Sequence, residues 1–316
     1  MKNIFLNFSV AVILIFGVIA CSQDRLIPLQ QTGVGVEKIV DFNPVYNYNN
    51  MESLQKPVEK FTVNSRSDIP YTSKKGTKIW IYEENLRDAN GKKVGYPYDL
   101  EIIELLSYKD IILYNKPTTS NDRILSTAGA FYVQPKKDKQ NLIIEGSPRI
   151  DFFGMKIDPE MKLFYEENAI DGGVTNDRKT WGEAREVPGA NQGEISINGQ
   201  KFYQILPGKY GWINCDKFAN IEGEKTRLTI ESSYPELKSM MIFVVIPRIS
   251  SVIAVYGGKA LELPIGEKVK VVAVAKSVEN EFYSSFKDIT LDKDMVLKLR
   301  LSATTEADFI TALEKL

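Results

Sequence analysis

The chain has 316 residues, 40 of them basic and 41 acidic, and a formal net charge of −1, a balance that argues against a nucleic-acid binder. It has no histidine and only two cysteines, which excludes Ser-His-Asp and Cys-His catalysis, His-ligated zinc and a cysteine-rich metal site within the chain. Carboxylate chemistry, Ser-Lys chemistry and calcium binding stay open.

The chain opens with Lys2, then an almost wholly apolar run from Ile4 to Ala20, then Cys21. A positive start, a short apolar core and a small residue before the cut describe a secretory signal peptide over 1–20. An uncleaved transmembrane helix is the competing reading, but the run is at the lower edge of spanning length and contains Asn7. Val18-Ile19-Ala20-Cys21 resembles the lipobox of bacterial lipoproteins. That resemblance implies that Cys21 receives a diacylglycerol, becomes the first residue and is acylated, for example with palmitate. Several acyl chains hold a protein to a membrane far more firmly than one. Ser22 in place of Asp, by resemblance to the enterobacterial sorting rule, implies the outer membrane. Cleavage removes Lys2 and leaves 296 residues with 39 basic and 41 acidic side chains, enough chain for about two domains. With Cys21 lipidated, Cys215 has no intrachain disulfide partner.

Residues 21–66 are rich in Asn, Gln and Ser and read as a lipidated N-terminus and tether, with one early strand near Gly35–Phe42. From 67 to 167 short strands alternate with turns. "GTKIWIY", "DLEIIELLS", "DIILY", "GAFYVQP" and "NLIIE" read as strands, and Asn90-Gly91 as a hairpin turn. Residues 168–193, rich in Gly, Asn, Asp and Pro, read as a long loop or linker. Strands resume over 194–316 with "QKFYQIL", "TRLTIE", "SVIAVY" and "KVKVVAVAK". "MMIFVVI" is apolar throughout and predicts a central strand covered on both faces and ended by Pro247. "VLKLRL" places Leu297, Leu299 and Leu301 on one side. Thr305 caps a terminal helix with Phe309, Leu313 and Leu316 on one face. The expected fold is all-β: two β-sandwich-like domains with a short C-terminal helix, after a signal peptide and tether.

The stretch from "SKKGTKIWIYEENLRDANGKKV" to "STAGAFYVQ" resembles uncharacterised lipoproteins common in Bacteroidota, through Gly76, Thr77, Asp88, Gly91, Val94, Glu104, Thr127, Ala128 and Gly129. "YGWINCDKF" and "LPIGEKVKVVAVAK" are similar to the second half of the same family. The opening is ZU5-like, which implies a β-sandwich used in protein association. Trp80 and Tyr82 depart from the family's smaller residues, and with Trp181 they form a candidate contact surface.

Other constellations carry less. Glu101, Glu104 and Asp110 suggest a glycosidase pair, but within one strand Glu101 and Glu104 face opposite sides. Asp88, Asn90 and Gly91 are a fragment of a calcium loop that a hairpin turn explains equally well, and Asp171, Asn176 and Asp177 are candidate oxygen ligands. Ser107 and Lys109 stand too close in sequence for a Ser-Lys dyad. The expectation is a protein with no catalytic residues, no metal and no cofactor. It is tied to the outer membrane by lipid on Cys21, and its partner is an envelope protein or, alternatively, a glycan. A carboxylate glycosidase is the weakest reading.

Overall fold

The structure is a computed structural model, and it describes residues 48–146, 148–171, 174–186, 191–199, 202–232, 240–256, 258–277 and 281–316. Cys21, the apolar run before it and the strand expected near Gly35–Phe42 lie outside these residues. The described chain is all-β, with two short α-helices.

Its backbone is a large antiparallel sheet. In order across it run Glu59–Val63, Tyr98–Leu105, Arg123–Lys137, Gly211–Phe218, Lys162–Asp171 and Val174–Glu183; Thr119–Ser120 and Gln140–Asn141 pair with the ends of the long third strand. One face packs on a five-stranded sheet of Asn191–Asn198, Phe202–Gly208, Arg149–Phe152, Lys78–Trp80 and Tyr71–Thr72. Alternation along the strands makes this packing possible. Leu100, Ile102, Phe131, Ile213 and Cys215 from the large sheet meet Ile79, Ile150, Phe152, Tyr203 and Ile205 from the five-stranded one.

A second pair of sheets follows. Ser251–Ala254, Met241–Ile246, Lys268–Lys276, Phe282–Thr290 and Ser302–Thr304 form one; Lys259–Pro264, Lys225–Ser232 and Val296–Leu299 form the other, whose last two strands are parallel. Ile242, Val244, Ile246, Val271 and Ala273 face Leu228, Ile230, Leu263 and Leu299 between them. The opposite parity, Met241, Phe243, Val245, Val272 and Val274, faces back to Leu105, Leu125, Ala130, Phe164 and Trp181 of the large sheet. The central strands of the two inner sheets are thus covered on both faces. Met241–Ile246 is buried at every position and stops at Pro247, as its unbroken apolar run predicts.

This middle layer also takes in two helices. α1 (Tyr108–Leu113) is capped by Ser107, whose oxygen accepts from Asp110 N at 3.2 Å. α2 (Glu306–Leu313) is capped by Thr305, accepting from Asp308 N at 3.0 Å, and buries Phe309 and Leu313. Lys109 and Glu314 join the two at 2.7 Å.

Four expectations are corrected. "DIILY" contributes to helix α1, not to a strand. The folded body begins before 67: Met51 is fully buried in the middle layer and Glu59–Val63 pairs with Tyr98–Leu105, so 48–66 is not tether. The loop expected over 168–193 consists, where described, largely of strand, with Lys162–Asp171 and Val174–Glu183 paired along their length. The division at that point also moves. Phe202–Gly208 and Gly211–Phe218, placed by sequence in the second domain, belong to the sheets of the first sandwich.

Candidate functional site

The centres of the two inner sheets are covered on both faces, so attention falls on the outer sheets, the edges and the clefts. The three-stranded sheet presents exposed Glu231 and Lys298, an ordinary solvated charge pattern. The outer face of the five-stranded sheet differs. Register places Thr72, Lys78, Asp151, Gln204 and Ser196 in one row across it. Trp80 stands opposite Arg149 on one side of that row. On the other side Phe153 and Phe202 meet edge to face, with ring centroids 6.0 Å apart. Phe153 is 61% exposed, and Ile69 (77%) follows Asp68, whose carbonyl accepts from the Trp80 ring.

Arg149 organises one end of this face. Its Nε and one terminal nitrogen donate to the two oxygens of Asp151 at 2.9 and 2.6 Å, a bidentate pair. That hydrogen bond raises the guanidinium pKa further. The guanidinium carbon lies 4.5 Å from the centre of the Trp80 ring. Trp80 Nε1 donates to Asp68 O at 3.2 Å. Arg66 covers the Tyr82 ring at 5.0 Å while pairing with Glu84 at 3.3 Å. Trp80 and Tyr82 therefore share one arginine-capped patch.

Trp181 does not join them. It is 2% exposed, belongs to the middle layer, and its Nε1 donates to Pro117 O at 2.9 Å. Of the three aromatics in the candidate surface, two are brought together and the third is core. The sequence reading missed Phe153 and Phe202. Each adjoins a second aromatic, Phe152 and Tyr203, and in such a pair the pattern alone does not say which ring is inside.

The carboxylates considered for hydrolysis are dispersed. Glu101 and Glu104 fall on opposite faces of their strand, as expected. Burial pushes Glu101 up, but hydrogen bonds from Lys136 and Lys60, at 2.7 and 2.9 Å, outweigh it and hold the pKa below its ordinary value. Asp110 behaves likewise: burial raises it, while Lys56 (2.6 Å), Lys75 (2.7 Å) and Ser107 (2.8 Å) bring it below the usual range. Glu104 has one buried oxygen without a hydrogen-bond partner among the described residues and lines a small cavity of about 260 Å³ with Ile102, Lys56 and Lys75. Ser107 caps α1 and Lys109 pairs with Glu314, so both are engaged apart from each other. Asp88 accepts from the backbone of Asn90 and Lys92 at 2.8 and 2.9 Å, with Gly91 at φ +79°, a turn closed by its own side chain. The side chains of Asp171, Asn176 and Asp177 lie outside the description. Among the described residues no group of three acidic or cysteine side chains is placed to hold a metal ion.

Cys215 is fully buried beside Ile213, on the side its alternation predicts. Burial pushes its thiol pKa well up, and Asp216 and Asp158 add to this. Its neighbours Asn214 and Asp216, on the opposite face of the strand, are buried as well. That face meets a polar seam. Thr127 N donates to Ser250 O at 3.0 Å, Ser126 Oγ to Ile249 O, and Lys156 Nζ to Ser126 Oγ at 2.5 Å. Thr118 and Val252 exchange hydrogen bonds of 2.7 and 2.9 Å a few residues away.

No family model, no curated protein and no solved structure matches the chain.

Proposed function

We propose that this chain is a lipid-anchored protein of the bacterial outer membrane that works without catalysis, by binding an envelope protein on the outer face of its five-stranded sheet. The observation that carries the reading is the composition of that face: Trp80, Arg149, Phe153 and Phe202 around a polar row, with Ile69 beside Trp80. Aromatic and arginine side chains are the residue types enriched in protein interfaces, and a monomer seldom leaves so many large apolar groups together in water. The arginine caps also favour a protein over a sugar here, because one flat side of the Trp80 ring and one of Tyr82 is already occupied. Anchoring rests on the lipobox-like Val18-Ile19-Ala20-Cys21. No helix among the described residues is long and apolar enough to cross a membrane.

A photo-reactive residue at Phe153 or Lys78, activated in intact cells, should give one adduct of defined size, and the same residue at Lys298 should not. The same adduct from all three positions, or none from any, rejects the docking face. Anchoring is tested separately: Cys21→Ala should lose incorporation of labelled fatty acid, and normal labelling rejects it.

A further inference from the structure

We propose a second binding site, independent of the docking face, for a small hydroxylated anion: an acidic saccharide carrying a carboxylate or a phosphate. It is the cleft where the two sandwiches meet, about 480 Å³, within the size range of small-molecule sites and at the kind of junction where they concentrate. Its floor is apolar. Ile124 and Leu261 pack with the second core, and Ala219 N donates to Ile124 O at 2.9 Å, which extends the pairing of the two large-sheet strands that form one wall. Three cations reach the cleft from both sandwiches: Arg123 from the large sheet, and Lys225 and Arg227 from the three-stranded one.

The cations are not equivalent. Arg227 is paired across strands with Glu262 at 3.5 Å. Arg123 lies flat on the Phe218 ring, its guanidinium carbon 3.3 Å from the centroid, and Phe218 is itself held edge-on against buried Phe164 at 5.5 Å. Stacking fixes the plane of the guanidinium and leaves its N–H edge available, an arrangement suited to two-point binding of a carboxylate or phosphate. Among the described residues no ion pair joins Arg123 or Lys225 to a carboxylate. Asp122, Asn220 and Glu262 also line the cleft. The carboxylates of Asp122 and Glu262 repel a bare anion, and all three side chains offer oxygens that accept hydrogen bonds from hydroxyls. Cations together with acceptors therefore select an anion that carries hydroxyl groups.

The test uses the full chain in a nonionic detergent, with binding measured by calorimetry and equilibrium dialysis. The probes are glucuronate and glucose 1-phosphate, with neutral glucose and inorganic phosphate as the two partial ligands. At least one anionic sugar should bind one-to-one, at least ten-fold more tightly than either partial ligand. The arm that binds identifies the anionic group. Arg123→Gln should weaken that binding ten-fold or more. Lys225→Gln, at an exposed position with no ion-pair partner among the described residues, should weaken it several-fold at unchanged melting temperature. Saturable binding absent to 10 mM, glucose or phosphate binding equally well, or variants that bind like the parent, each overturn the proposal.

Discussion

Asp216 is fully buried in the seam between the sandwiches and offers a quantitative test of the packing. Burial pushes its carboxyl well above the ordinary carboxylate range. Hydrogen bonding by Thr127 and Asn214 (Asn214 Nδ2 donates to Oδ2 at 2.7 Å) and the charge of Lys156 oppose the shift without cancelling it. The folded chain therefore holds a proton here that the unfolded chain releases near its ordinary pKa of 3.8. Stability from this group is complete below that value and is lost as pH rises toward the folded pKa. While the folded carboxyl stays protonated, each pH unit costs about 1.4 kcal/mol. Asp216→Asn has no proton to take up. The stability of the variant minus that of the parent should thus rise by about 1.4 kcal/mol per unit as pH is raised from 5, until the parent's carboxyl ionises. Among the described residues Oδ1 has no hydrogen-bond partner, so the amide adds an offset of either sign, but the offset is independent of pH. Carboxyls with lowered pKa values, such as Asp110 and Glu101, titrate in both proteins and cancel in the difference. Denaturant unfolding followed by far-ultraviolet circular dichroism from pH 5 to 8 reads the slope. Parallel profiles for the two proteins would refute a neutral, buried Asp216.

Phe309→Ala removes a fully buried ring that packs on Phe286 and Phe282 at 5.8 and 6.3 Å; it should cost about 3–5 kcal/mol, read as a lower denaturant midpoint at unchanged slope. A fragment ending at residue 167 should fail to unfold cooperatively, because it lacks Gly211–Phe218 from the middle of its sheet; a sharp thermal transition would contradict this topology. Cys215→Ala should keep any binding and cost about 1–2 kcal/mol, and a thiol reagent should label the native protein far more slowly than the denatured one.

How far the sequence could be read depended on whether the deciding contacts were local. Met241–Ile246 announced its double burial through an unbroken apolar run, and Cys215 announced its side by alternation with Trp212 and Asn214. Helix α2 was legible from Thr305 and the spacing of Phe309 and Leu313. Helix α1 was not: six residues dense in Ile and Leu fit a strand as well, and only the Ser107–Asp110 cap argued otherwise. The polar stretch after 168 read as loop because its strand character comes from pairing with Lys162–Asp171, which in turn pairs with residues some fifty positions later. Half of the docking patch, Trp80 with Tyr82, stood out by residue type. Phe153, Phe202 and the Arg123–Phe218 stack appear only when distant strands are set side by side.

The order of strands in the large sheet also constrains how the chain reaches this state. Arg123–Lys137, at its centre, needs Tyr98–Leu105 on one side and Gly211–Phe218 on the other, and the middle layer is complete only when Phe309 arrives. Closing the first sandwich early from its N-terminal strands alone is therefore not possible. Long-range pairings of this kind make folding slow, and they leave strand edges open until the last partner is present. For a chain synthesised from its N-terminus, any stall before residue 218 leaves Lys162–Asp171 without one of its two neighbours and free to pair with another copy. Such a chain is best kept extended and allowed to fold once, whole, after release.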